Sequence, residues 1–127
     1  MSDVNLHDLL SKLDISADWI GLREVKESTT YRVIRDGNPQ VNARDFSRGV
    51  MVEVLADGQF GYYGSRNLDI ENIQIGAKKA LMQAKAAAKN PIFAFTENVR
   101  PATKGSFVSP FVKSVDDIDP GVLNEIL

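Results

Sequence analysis

The 127-residue sequence contains no cysteine and a single histidine, His7. The first absence excludes disulfides, thiol nucleophiles, redox pairs and any zinc site built on thiolates. The second removes the pair of imidazoles at helical spacing that a hydrolytic zinc site needs. A serine–histidine catalyst would have to use His7, which stands among the first few residues, where chains are usually poorly held. Neither sign of charge dominates: 15 Lys and Arg against 17 Asp and Glu leave −2. Such a balance lacks the basic footprint of a protein that grips phosphates. No apolar run approaches the ~20 residues of a membrane span, and the first residues carry neither a basic n-region nor an apolar h-region. The expectation is a chain in a reduced, cytoplasmic setting, with no nucleic acid and no membrane as partner.

What is present suffices for a core, since 43% hydrophobic and 25% charged residues are ordinary values for a soluble domain. Leu6, Leu9, Leu10 and Leu13 recur at i, i+3, i+4 and i+7, which predicts a short helix capped by Asp3 or Asn5. From Ala17 the period shifts toward two. Residues 19–25 and 30–35 read as two strands rich in β-branched and aromatic side chains. Asp36-Gly37-Asn38-Pro39 is a turn, and a third strand, poor in apolar anchors, spans Gln40 to Phe46. In Gly49–Leu55, Val50, Val52 and Val54 face one side while Met51, Glu53 and Leu55 face the other. Asp57-Gly58 turns that strand into a fifth, residues 59–64. There Gly61 and Gly64 suggest a bulge, a bend or the close approach of another backbone.

Asp69 opens a long helix whose inner positions, Ile70, Ile73, Ala77, Ala80, Leu81, Ala84, Ala87 and Ala88, are mostly alanine. With Gly76 among them, this stripe predicts a tight crossing on a sheet. Glu71, Gln74, Lys78 and Lys85 point outward, Lys85 and Lys89 complement the helix end, and Asn90-Pro91 stops it. Ile92–Phe95 is a short strand candidate. The fold class is thus α+β: a mainly antiparallel sheet of about five strands covered by an N-terminal helix and a long Ala-rich helix, over residues 1–97. Residues 98–127 form an extended arm that ends in a short helix with Asp119 as cap, Pro120 at its first position, and an apolar stripe of Val122, Leu123, Ile126 and Leu127. Fewer than two turns do not persist alone, so the helix is expected either to dock back or to lead onward.

Familiar catalytic patterns are weak. Gly58, Gly61 and Gly64 follow a hairpin and lack the spacing and the immediate helix of a phosphate loop. Glu24 with Glu27, and Asp116 with Asp117 and Asp119, lie on exposed strand ends and a helix cap, where nothing separates two carboxyl pKa values for acid–base work. The chain is therefore expected to hold no catalytic residue, no metal ligand set and no cofactor of its own.

One ordered set of segments is more telling. Ala17-Asp18-Trp19-Ile20-Gly21-Leu22-Arg23, then Arg35-Asp36-Gly37, then Arg48-Gly49-Val50-Met51-Val52-Glu53-Val54-Leu55-Ala56-Asp57-Gly58-Gln59-Phe60-Gly61-Tyr62, followed by an alanine-rich helix, resembles the N-terminal domain of the TldD/PmbA family, also called modulator of DNA gyrase. The likeness runs from about Ile15 to Lys89, and Asp119-Pro120 with its helix resembles the family's passage toward a second domain. The resemblance implies cytoplasmic zinc metallopeptidases that work as homo- or heterodimers on unfolded peptides, with zinc held by a His-Glu-x-x-x-His helix in a C-terminal domain that these residues do not include. This chain would then be a non-catalytic domain helping to enclose the peptide and to contact a partner subunit of the same family. Arg48, Tyr62 and Tyr63 are the candidate partner or peptide contacts. Glu53 stands where the family commonly has Arg and Met51 where it commonly has Gly, so a role resting on that arginine does not carry over. The alternative is a regulatory protein-binding module of the gyrase-modulator type with no part in proteolysis.

Overall fold

A computed structural model describes residues 4–127. Its elements run α1 (Leu6–Ser11), β1 (Trp19–Arg35), β2 (Asn38–Ala56), β3 (Gln59–Ser65), α2 (Ile70–Ala87) and α3 (Pro120–Ile126), with single 3₁₀ turns at Glu97–Val99 and Val115–Asp117. The strands form one sheet in the order β1-β2-β3. Both hairpins turn on Asp-Gly pairs in the left-handed region, Asp36 (φ 51°) with Gly37 (φ 74°) and Asp57 (φ 51°) with Gly58 (φ 76°). Positive φ at both central residues is the type I′ geometry that matches the twist of the flanking strands.

The α+β class stands, but the described sheet has three strands rather than about five. The two expected strands before Asp36 are one, β1, and the two between Asn38 and Ala56 are one, β2. Lys26-Glu27-Ser28-Thr29 and Ser47-Arg48 lack apolar side chains, which makes them look like interruptions. They also lack any residue pair that reverses a chain, so the strand continues through them. Ile92–Phe95 is no strand: Phe95 donates its N–H to the Gly58 carbonyl at 2.8 Å, but no ladder follows. Of the three alternatives for Gly61 and Gly64, the bulge is absent, as β2 and β3 pair antiparallel without a break from Val50↔Ser65 to Ala56↔Gln59.

Gly61 instead realises the close approach. It opposes Val54, and a Cβ built on it would lie 2.7 Å from the carbonyl carbon of Ala80 and 3.1 Å from the nitrogen of Ala84. The backbone of α2 therefore crosses β3 with no side chain between them. Gly76 does the reciprocal service, leaving room for the Tyr63 ring. On this face Val50, Val52 and Val54 join Leu9 of α1 and Ile73, Ala77 and Ala80 of α2 in one buried cluster, with Ile20, Leu22 and Ile15 packed against it. Every full burial of a Val or Ile side chain contributes roughly 1.5–3 kcal/mol.

Local chemistry sets the helix ends. The Asn5 side chain accepts the N–H groups of His7 (3.1 Å) and Asp8 (3.2 Å), and α1 ends at Ser11, so Leu13 packs from beyond the helix. Asp3, the other expected cap, lies outside the described residues. Asp69 caps α2 by accepting the Asn72 N–H at 2.9 Å, and that bond holds its carboxyl below its ordinary value. Gln74, expected to face solvent, instead clasps the backbone of Asp14 in both directions at 2.8 Å, pinning the segment after α1 onto α2. Ala87 is exposed at the end of α2 rather than buried.

The chain divides into two compact units: the residues up to Glu27 with Ser47–Pro101, and Ser28–Phe46 with Ala102–Leu127. All described buried hydrophobics belong to the first. In the second, Arg44 donates to Ser28 Oγ at 3.2 Å and to Asp116 Oδ2 at 2.7 Å, while Phe46, Phe107 and Phe111 stay exposed. An exposed ion pair of that kind is worth about 0–1 kcal/mol, and α3 buries no residue. Amides of 102–127 are expected to exchange hydrogen fast while those of Val50–Leu55 are the most protected. Slow exchange across Gly121–Leu127 in a hydrogen-exchange experiment would show the tail to be an integral part of the domain.

Candidate functional site

The face of the sheet opposite α2 carries the side chains with chemistry to offer. Because β-strand side chains alternate, the register that pairs Leu55 with Phe60 and Glu53 with Tyr62 sets all four on this face. Phe60 and Tyr62 stack with centroids 6.1 Å apart and planes at 23°, and Trp19 meets Phe60 edge-on at 6.3 Å. After α2 the chain returns over them. Phe95 lies 5.5 Å from Phe60, Phe93 lies 5.1 Å from Phe95, and the Gln59 amide donates to the Phe93 carbonyl.

Arg100 completes the arrangement. Its guanidinium donates to the Glu53 carboxylate and sits 5.0 Å above the Phe60 ring and 5.9 Å from the Tyr62 ring. The bond to Glu53 raises the Arg100 pKa still further, so the guanidinium remains charged throughout the accessible range. Beside these rings an open groove of about 450 Å³ is lined by Gln59, Ala86, Asn90, Ile92, Phe93 and Phe95, among others. Among the described residues, no group of three or more His, Asp or Glu side chains is placed to hold a metal ion.

The three expected contact residues do not form one surface. Tyr62, 40% exposed, belongs to the aromatic face. Tyr63, its neighbour on the strand, points the other way, its ring against Gly76 and under the Lys79 ammonium at 5.2 Å. That is a packing position at the edge of the core. Arg48 lies on β2 beyond the last pair with β3, partly buried, and donates to Glu24. His7 is exposed on α1.

Sequence reasoning did not single out Arg100, nor pair it with Glu53. The partners are 47 positions apart, and no local spacing links them. The alternating aromatics Phe60/Tyr62 and Phe93/Phe95 were the available signal, since two such pairs flanking one helix can meet only across a face.

Residues 21–88, just over half of the chain, match a family model described as PmbA/TldA metallopeptidase domain 1. No curated protein and no solved structure matches the chain. The matched span runs from β1 to the end of α2, leaving Phe93, Phe95 and Arg100 outside it. Among the described residues, no helix is long and apolar enough to cross a membrane.

Proposed function

Since the chain belongs to the PmbA/TldA (TldD/PmbA) metallopeptidase family, carrying that family's domain 1, we propose that it is a non-catalytic N-terminal domain that contributes subunit contacts and helps to enclose a peptide substrate. The observation that carries this reading is the pairing of a domain 1 match with a donor set that does not fit zinc. One exposed imidazole, His7, no cysteine and, among the described residues, no cluster of three or more His, Asp or Glu side chains fall short of the three protein ligands of a catalytic zinc. Zinc and hydrolysis therefore fall to another domain, and the homo- or heterodimer partner to a chain of the same family in the cytoplasm. Of the three candidate contact residues, Tyr62 is best disposed to meet a partner or peptide, because its ring is half exposed beside an arginine, an arrangement enriched at interfaces. Arg48 and Tyr63 would act from the other face, through their packing.

Purified alone, the chain is expected to hold no stoichiometric zinc and to leave unfolded peptides intact. It should be captured by a second family subunit that carries the peptidase domain. Metal analysis showing one tightly held zinc per chain, or cleavage of a denatured substrate, would overturn the assignment. Capture of gyrase by this chain, with no capture of a peptidase subunit, would support the regulatory module instead.

A further inference from the structure

We propose that Glu53, Phe60 and Tyr62 form a binding site for an arginine side chain, filled in this structure by the chain's own Arg100 and open in exchange to an arginine of another polypeptide. The site is built on rigid elements. Glu53 lies on the central strand, Tyr62 opposes it in register, and Phe60 stacks on Tyr62 from two residues away. With Arg100 seated on it, the Glu53 side chain is only 13% exposed. A carboxylate set against two rings is favoured by a counter-charge, and the ring faces on its flank select a planar, weakly hydrated cation over a compact ammonium. The recognition chemistry is therefore that of guanidinium, with the negative charge supplied from below and the π faces from the side.

The present occupant is held lightly. Arg100 follows the one-turn 3₁₀ helix Glu97–Val99, its side chain is 41% exposed, and the segment's backbone is tied to β3 and its turn through Phe93 and Phe95. The Arg100 side chain can thus leave and be replaced while the aromatic contacts of Phe93 and Phe95 stay in place. A tethered occupant competes at an effective concentration in the millimolar range, so the free site is masked until a well-placed arginine from another chain displaces it. The site takes a cation; an anion would meet Glu53.

The test uses the whole chain with Arg100→Ala. N-acetyl-arginine amide is titrated in while the emission of Trp19, the single tryptophan and a neighbour of Phe60, and the unfolding midpoint are followed. A saturable response with a Kd on the order of 1 mM is expected, with a rise in midpoint as bound ligand favours the folded state. The unaltered chain should respond at least about twofold more weakly because Arg100 competes for the site at a millimolar effective concentration. N-acetyl-lysine amide at equal ionic strength should give little response, and adding Glu53→Gln to Arg100→Ala should abolish it. If Arg100→Ala does not fold, Arg100→Gln, which keeps part of the aliphatic stem over Phe60, carries the same titration. No saturable response in the vacated variant, an equal response in the unaltered chain, or a response that survives Glu53→Gln would each overturn the proposal.

Discussion

Gly61→Ala is expected to destabilise the protein by roughly 3 kcal/mol or more, the upper end of what overpacking costs, and to lower the unfolding midpoint by on the order of 10 °C. The added methyl would overlap the carbonyl of Ala80 and lie 3.1 Å from the Ala84 nitrogen. These are main-chain atoms of α2, which cannot rotate aside as a side chain can. To admit one carbon the whole helix must lift from β3, and lifting it loosens Ile73, Ala77, Ala80 and Ala84, all fully buried beneath it. Gly64→Ala is the matched control. It lies on the same strand with nothing within 4 Å of its built Cβ, and a change there should stay within about 0.5 kcal/mol. Urea and thermal denaturation of the two variants decide the matter: equal stability would mean that α2 stands farther from the sheet than described.

Ile73→Ala is expected to cost about 3 kcal/mol, within the 2–5 kcal/mol range for large-to-small changes in a core. Ile73 is among the largest fully buried side chains, and the other buried residues of α2 are alanines and a glycine. Its neighbours in the cluster, Ala77 and Ala80 along the helix and Val50, Val52 and Val54 beneath, are short or β-branched and held on regular backbone. They cannot swing into the void, so most of the cavity remains. Ile75→Ala, two residues on but half exposed, should change stability by no more than about 0.5 kcal/mol. Comparable losses at the two positions would contradict the burial pattern of α2.

The proposed arginine site and these core positions sit on opposite faces of one sheet, and the expected effects differ accordingly. Substitutions on the Val face act on global stability. Those at Glu53 and Arg100 act on occupancy of the aromatic face, because Arg100 reaches the shielded Glu53 from the solvent side, its own side chain 41% exposed.

The local rules of the chain were legible without coordinates wherever a short-range cause sufficed. Asp57-Gly58 had to turn because both residues accept positive φ. The alternation of Val50, Val52 and Val54 placed them on one face, and the alanine stripe with Gly76 implied a close helix crossing; all three are realised. Capping by Asn5 and Asp69 followed from side chains that accept first-turn N–H groups. Strand length was not legible, since a polar stretch such as Lys26–Thr29 reads the same whether the strand stops or merely runs on through solvent, and hydrogen bonds to a neighbouring strand decide between the two. The two-residue period sends Tyr62 and Tyr63 to opposite faces, a consequence that grouping them as joint contacts overlooked, and which face is covered by α2 and which by the returning segment depended on Gly61 meeting α2 and Gly76 meeting Tyr63. The joining of Glu53 to Arg100 over Phe60 and Tyr62 lay furthest out of reach. Local periodicity constrains neighbours within a few residues, while an ion pair spanning 47 positions exists because the fold first carries the chain across the sheet and then leaves one shielded carboxylate for a cation to meet.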